Sequence, residues 1–220
     1  MSAVSALARR EISLAWSGGG PVLSAGFFAA ITIMLPLGLG SAPAALASVA
    51  PGIAWIALVL ASLLSLDRMF ERDLESGALD LLACSGTALE IVSAVKCAAQ
   101  WLVSAAPLAL MAPLGVLALG GPLSACPMII VAALAGGAGF VFVGGAGAAL
   151  ALASRRGGIL IALIVLPLLT PPVIFGGAAI ERAASGGAWG PSLALLCAYS
   201  LAAAVLAPFA MAAACRNALS

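Results

Sequence analysis

Histidine is absent from the 220 residues, and lysine occurs once, at Lys96. The side chain that most often serves as general base or metal ligand is therefore missing. Charge of either sign is scarce: 8% of residues are charged, against about 25% in a soluble domain. Aromatic residues make up 5%, with a single tyrosine, Tyr199. The five cysteines, Cys84, Cys97, Cys126, Cys197 and Cys215, form no CxxC pair. Neither a zinc site nor a disulfide framework is expected from that spacing, and each cysteine reads as a small apolar residue within a helix. The net charge of +1 gives no pointer to an anionic partner, and no nucleic-acid partner is expected.

What is present is apolar. Hydrophobic residues make up 64% of the chain and the mean hydropathy is +1.24. Residues 12–66, 97–154, 157–180 and 183–215 carry no charge. A membrane-spanning helix needs about 20 apolar residues, so the first two runs each hold two spans and a turn, and the last two hold one each. The expected fold is an all-α integral membrane protein, a single transmembrane domain over residues 1–220. Its six transmembrane helices fall near 21–39, 44–66, 97–119, 124–153, 159–180 and 191–214. Before the first span no short apolar core with a small-residue cleavage site appears, so a cleaved signal peptide is not expected. Residues 3–16 read as a short interfacial helix with Val4, Ala8, Ile12 and Trp16 along one face. Gly18, Gly19, Gly20 and Pro21 end it.

Nine of the charged residues gather in one stretch, residues 67–96: Asp67, Arg68, Glu71, Arg72, Asp73, Glu75, Asp80, Glu90 and Lys96. The pattern predicts that residues 67–74 continue the second span as an amphipathic helix. Ser76-Gly77 then turns the chain, a short apolar turn follows with Leu79 and Asp80, and Ser85-Gly86 breaks it. Thr87 and Glu90 have the spacing of a capping box at the start of the next helix. Trp101 has the position of an interfacial tryptophan. Further on, Gly136-Gly137-Ala138-Gly139 recurs eight residues later as Gly144-Gly145-Ala146-Gly147. That offset places both tetrads near one helix face, where small residues let another helix approach closely. A phosphate-cradling loop is excluded, because GxxxxGK[ST] needs a lysine. Pro167, Pro171 and Pro172 make the fifth span a candidate for a bent or partly re-entrant segment, with an ordinary kinked helix satisfied by its neighbours as the alternative.

With six spans, Arg9, Arg10, Arg68, Arg72, Lys96, Arg216 and the basic turn at Arg155 and Arg156 share one side, and Arg182 alone lies on the other. The positive-inside rule puts the former side, with both termini, in the cytoplasm. The spans themselves lack the ionisable groups that mark proton relays and ion-coupled carriers. Enzymatic chemistry is not expected of this chain. Residues 67–96 instead read as a cytoplasmic coupling segment that receives force from a nucleotide-hydrolysing partner.

Several stretches, in this order, resemble the CcmB family: Arg9-Arg10-Glu11 with Ala15-Trp16, Ala50-Pro51-Gly52, Leu66-Asp67-Arg68 with Phe70, Asp73 with Gly77 and Leu79, Trp101-Leu102-Val103, Arg155-Arg156-Gly157-Gly158, and Ala207-Pro208-Phe209-Ala210. CcmB is the membrane subunit of the cytochrome c maturation ABC transporter, also called haem exporter protein B. The resemblance covers nearly the whole chain. It implies an ABC-2-like exporter permease in a bacterial inner membrane, a homodimer within a complex. A CcmA-like ATPase would bind ATP and magnesium, CcmC-like and CcmD-like membrane proteins would join it, and a CcmE-like haem chaperone would receive haem. The ATPase-coupling residues it implies are Asp67, Arg68, Phe70, Glu71, Arg72, Asp73, Glu75, Gly77, Leu79 and Asp80. No cofactor is expected on this chain alone, and haem enters as a transported or handled ligand. Lacking histidine, the commonest protein ligand of haem iron, the chain has only Met, Cys or Tyr199 to offer, so partners are expected to hold the haem. The alternatives are an ABC-2 permease for a lipid or drug, or a non-transporting scaffold that relays ATPase motion.

Overall fold

The computed structural model describes residues 3–40, 43–66, 69–152 and 157–219, with the side chains of 3, 39, 43 and 157–164 outside that description. Among the described residues all regular structure is helical. The helices are α1 (Ala3–Ser17), α2 (Gly20–Leu39), α3 (Pro43–Leu64), α4 (Glu71–Glu75), α5 (Ala78–Cys84), α6 (Leu89–Gln100), α7 (Ala106–Ala118), α8 (Cys126–Leu152), α9 (Gly157–Ala184) and α10 (Gly190–Ala218). A π-helical turn, Trp101–Ala105, joins α6 to α7, so that one continuous rod runs from Leu89 to Ala118. Five helical segments among the described residues are long and apolar enough to cross a membrane: α2, α3, the α6–α7 rod, α8 with its 3₁₀ lead-in, and α10. The protein is a multi-pass membrane protein. The expected fifth span is α9, a helix of 28 residues.

Proline explains two local features. Pro107 has no amide to give the carbonyl four residues back. The π turn just before it changes the register, and the amide of Ala106 reaches the carbonyl of Trp101. In α9 the helix runs through Pro167, Pro171 and Pro172, so the re-entrant alternative gives way to a helix supported by its neighbours. One such support is visible: Pro172 leaves the carbonyl of Leu168 without its helical donor, and the hydroxyl of Tyr199 on α10 donates to that oxygen.

The core is organised around α8, which packs against α3, α7, α9 and α10. Its two glycine tetrads are the reason. A methyl added at Gly136 would meet Trp55 and Leu196, at Gly139 Ser200, at Gly144 Leu66, and at Gly145 Cys97 and Met211. The close approach expected of small residues is present, but it is spread over several neighbours rather than one face. Trp55 is the largest side chain at the centre of this packing. It lies 5.6 Å from the Phe140 ring and donates to the carbonyl of Val173 at 2.9 Å. It thereby ties α3 to both α8 and α9.

Trp101 does not serve as an interfacial anchor. Its indole donates to the carbonyl of Leu134 at 3.0 Å, inside the bundle. The expectation that residues 67–74 continue the second span as one helix is not met among the described residues. The α3 helix stops at Leu64, Ser65 and Leu66 turn, and α4 begins at Glu71.

Candidate functional site

Charged residues of α1, α4, α6 and α10 meet at one end of the bundle. The chain leaves α3, forms the short helices α4 and α5 as a platform, and returns through α6. Gly77 allows the sharp corner between α4 and α5: its φ is 70°, a region only glycine enters freely. The platform has an apolar underside. Phe70 and Leu79 are buried with Leu66, Leu89, Cys97, Val141 and Met211. This burial, rather than the intrinsic stability of helices five and seven residues long, holds it in place.

Above that underside lies a closed ionic quartet. Lys96 on α6 is 3% exposed and Asp73 on α4 is 2% exposed. The Nζ of Lys96 bonds Glu11 Oε2 of α1 at 2.7 Å and also pairs with Asp73 Oδ2. Arg10, also on α1, donates to Asp73 Oδ1 at 2.8 Å and pairs with Glu11. Each carboxylate thus meets two cations, and the four charges cancel. Burial by itself would raise the Asp73 carboxyl; the hydrogen bond from Arg10 and the charge of Lys96 outweigh it and hold the group below its ordinary value. The bond to Asp73 raises the Arg10 guanidinium in turn. Lys96 also stands 5.7 Å over the ring of Phe70, within the range of a cation–π contact.

Two further links brace this end. Arg72 donates to the carbonyl of Leu14 at 3.1 Å, placing a cation by the last turn of α1, where the helix dipole favours one. Gly18 keeps that path open, since a methyl there would lie 2.5 Å from the guanidinium. Arg216, near the end of α10, pairs with Glu90 in the first turn of α6. The capping box is therefore not formed. Ala88 takes the N-cap position with no side-chain hydrogen bond, and Glu90 is drawn to Arg216. Beside the quartet, between α1, α2 and α6, a cavity of about 230 Å³ opens, lined by Leu14, Leu23, Arg72 and Gln100 among others.

The structure separates the expected coupling residues into two groups. Phe70, Asp73 and Leu79 face inward, and Gly77 forms the corner. Glu71, Glu75 and Asp80 are exposed on the outer side, and Arg72, also exposed, reaches across to α1. Beside them Leu81, a residue of the expected apolar turn that was not among the expected coupling residues, is 74% exposed. Asp67, Arg68, Arg155 and Arg156 lie outside the described residues. Arg10 and Glu11 were also missed as partners of the platform. The available signal was the solitary lysine at the border of an uncharged run, which demands a carboxylate from elsewhere. On α1, Val4, Ile12 and Trp16 stay exposed, while Glu11 turns inward to reach that lysine.

The family model described as CcmB protein matches residues 2–218. Heme exporter protein B of Paracoccus denitrificans is 44% identical over 212 residues, which cover 96% of this chain and 97% of that protein. The protein of the same name from Bradyrhizobium diazoefficiens is 41% identical over 221 residues, covering all of both chains. That of Escherichia coli K12 is 38% identical over 190 residues, 86% of each. A full-length family match together with full-length relatives at this identity has one meaning: the chain belongs to the CcmB family.

Proposed function

We propose that the protein is the membrane permease subunit of an ABC transporter serving cytochrome c maturation. In this reading it sits in a bacterial inner membrane with both termini and the α4–α5 platform in the cytoplasm, as the clustering of basic residues favours. It works as a homodimer with a CcmA-like ATPase that binds ATP and magnesium, beside CcmC-like and CcmD-like membrane proteins. Hydrolysis by the partner drives haem export, or release of the haem-loaded CcmE-like chaperone. Haem as the handled ligand is supported by the name shared by the relatives. Partners are the main holders of haem in this reading, because the chain has no histidine, the commonest protein ligand of haem iron.

The observation that carries the reading is a platform with two unlike faces. Its outer face presents Glu71, Glu75, Asp80 and Leu81. Its inner face is locked through Asp73 to α1 and to the α6–α7 rod. A push on the outer face is thus delivered to two membrane-bound elements at once, and the neighbouring cavity leaves α4 room to tilt. The test is charge reversal on the outer face alone, with Glu75→Lys and Asp80→Lys together. Facing like charges cost several kcal/mol, so co-purification of the ATPase falls more than about tenfold while membrane insertion is unchanged. Undiminished co-purification refutes the docking role.

A relay that conducts nothing itself is the second reading, favoured by the closed packing of Trp55 and Phe140 at the centre of the bundle. Haem flux measured in vesicles containing the assembled complex separates the two, since the relay gives none through this subunit.

A further inference from the structure

Three helical paths lose their regular winding close to one another. Between α1 and α2 the chain turns at Gly19, whose φ is 73°. The α3 helix ends at Leu64, and Ser65 turns towards the platform. Between α6 and α7 lies the π turn. These places meet in space: a methyl on Gly20 would stand 3.7 Å from Ser104 Oγ and 3.9 Å from Ser65 Cβ. Gln100 joins the last two, donating to the carbonyl of Ser65 at 3.1 Å and to the Ser104 hydroxyl at 3.0 Å. The cavity beside the quartet reaches the same level, where Gly20, Leu64, Ser65 and Gln100 line it.

The packing parts at this level too. Leu108, Ala109, Ala112 and Val116 of α7 are buried with Phe28 of α2 and with Trp55 and Leu58 of α3. Leu89, Cys97 and Ala105 belong to a second buried cluster, with Leu66, Phe70 and Leu79. On that second side the quartet ties α1, α4 and α6 together. The α8 and α10 helices run past both clusters and form the wall beside them. A body fastened within itself and joined to the spans by interrupted paths is the arrangement of a hinge. The π turn supplies the give. Its bond from the Ala106 amide to the Trp101 carbonyl spans five residues where an α-helix spans four, so the turn holds one residue more than regular winding needs. Pro107 withholds a further donor.

We propose that α1, the platform and α6 pivot as one cap on the membrane-spanning bundle, about Gly19, Ser65 and the π turn. The pivot gives the coupling reading its moving part and rests on that reading for its purpose alone.

Deleting Leu102, an exposed residue of the turn, tests this. Ala106 and Trp101 then stand four residues apart, as in an α-helix, and neither flanking helix has to rotate. Deleting Leu110, an exposed leucine within α7, instead rotates everything on one side of it by about 100°. In detergent the Leu102 deletion therefore unfolds at or above the wild-type midpoint, and the Leu110 deletion well below it. Hydrogen exchange in the full complex reads the pivot itself. The amides of residues 102–106 exchange more than about tenfold faster than those of residues 108–112, and the Leu102 deletion removes the difference. Pro107→Ala, which returns a donor at full chain length, slows exchange of residues 102–106 by a smaller factor. In the Leu102 deletion ATP-driven haem export or chaperone release falls more than about tenfold, while the ATPase still co-purifies. The pivot is refuted by a Leu102 deletion as unstable as the Leu110 deletion, by exchange no faster at residues 102–106 than at residues 108–112, or by export and release at the wild-type rate in the Leu102 deletion. A wild-type complex without ATP-driven export or release refutes the coupling reading instead, and the exchange rates still decide the pivot.

Discussion

Replacing Lys96 with methionine keeps the unbranched apolar stem of the side chain but takes the central cation from the quartet. Glu11 and Asp73, whose side chains are 7% and 2% exposed, then share only Arg10. Removing one partner of a buried ion pair costs about 3–5 kcal/mol, because the remaining charge stays desolvated. For a chain of this size each kcal/mol lowers the midpoint of thermal unfolding by about 2–4 °C, so Lys96→Met lowers it by about 6–20 °C in detergent. A companion variant tests the cause. Lys96→Met combined with Glu11→Gln and Asp73→Asn removes both stranded carboxylates, and Arg10, at 37% exposure, is free to turn to water. The triple variant regains most of the loss. If the single variant unfolds with the wild type, or the triple variant falls at least as far as the single one, then charge compensation is not what holds α1, α4 and α6 together.

Acid tests the same site from another direction. Because Asp73 is held below its ordinary value of 3.8, its contribution is present above that value and is lost as pH falls from there through the depressed one. The stability difference between wild type and Asp73→Asn stays constant from pH 7 to 5 and shrinks only in stronger acid; a decline between pH 7 and 5 contradicts the sign. In the core, Gly176→Ala puts a methyl 2.1 Å from Trp55 Cζ2, whereas at Gly177 the nearest indole atom is 3.7 Å away. The first variant loses about 1–3 kcal/mol through overpacking, while the second is neutral or gains about 0.5–1 kcal/mol as a helix interior exchanges glycine for alanine. Equal unfolding midpoints for the two refute the close approach.

The five apolar helices long enough to cross a membrane were legible because they depend on local composition: a run of about 20 uncharged residues has few other solutions. The break after α1 was legible for a similar reason, since Gly18, Gly19, Gly20 and Pro21 act within a few residues of themselves. The quartet was not, because Glu11 and Lys96 are 85 residues apart and their pairing exists only once α1 lies against α6. The capping box misled in the same way. Thr87 and Glu90 satisfy the local pattern, but Arg216, 126 residues from Glu90, offers an opposite charge where the helix start offers only orphan amides. Trp101 shows the limit of reading a tryptophan by position, since a carbonyl on α8 was within its reach. Proline in α9 was judged by what it removes from its own helix. Its compensation came from Tyr199 on the next one, which no local signal announces.

The two pairings that close the charged end of the bundle also set an order of synthesis. Glu11 and Arg10 leave the ribosome first and wait for Asp73 and Lys96, so the quartet can close once the third membrane segment is under way. Glu90 waits far longer, because its cation, Arg216, follows it by 126 residues. Until then the start of α6 carries an unclaimed carboxylate, and the platform is fastened on one side only. The α10 helix therefore acts as a clasp on a segment made long before it, and the start of α6 is fastened only once Arg216 has been made.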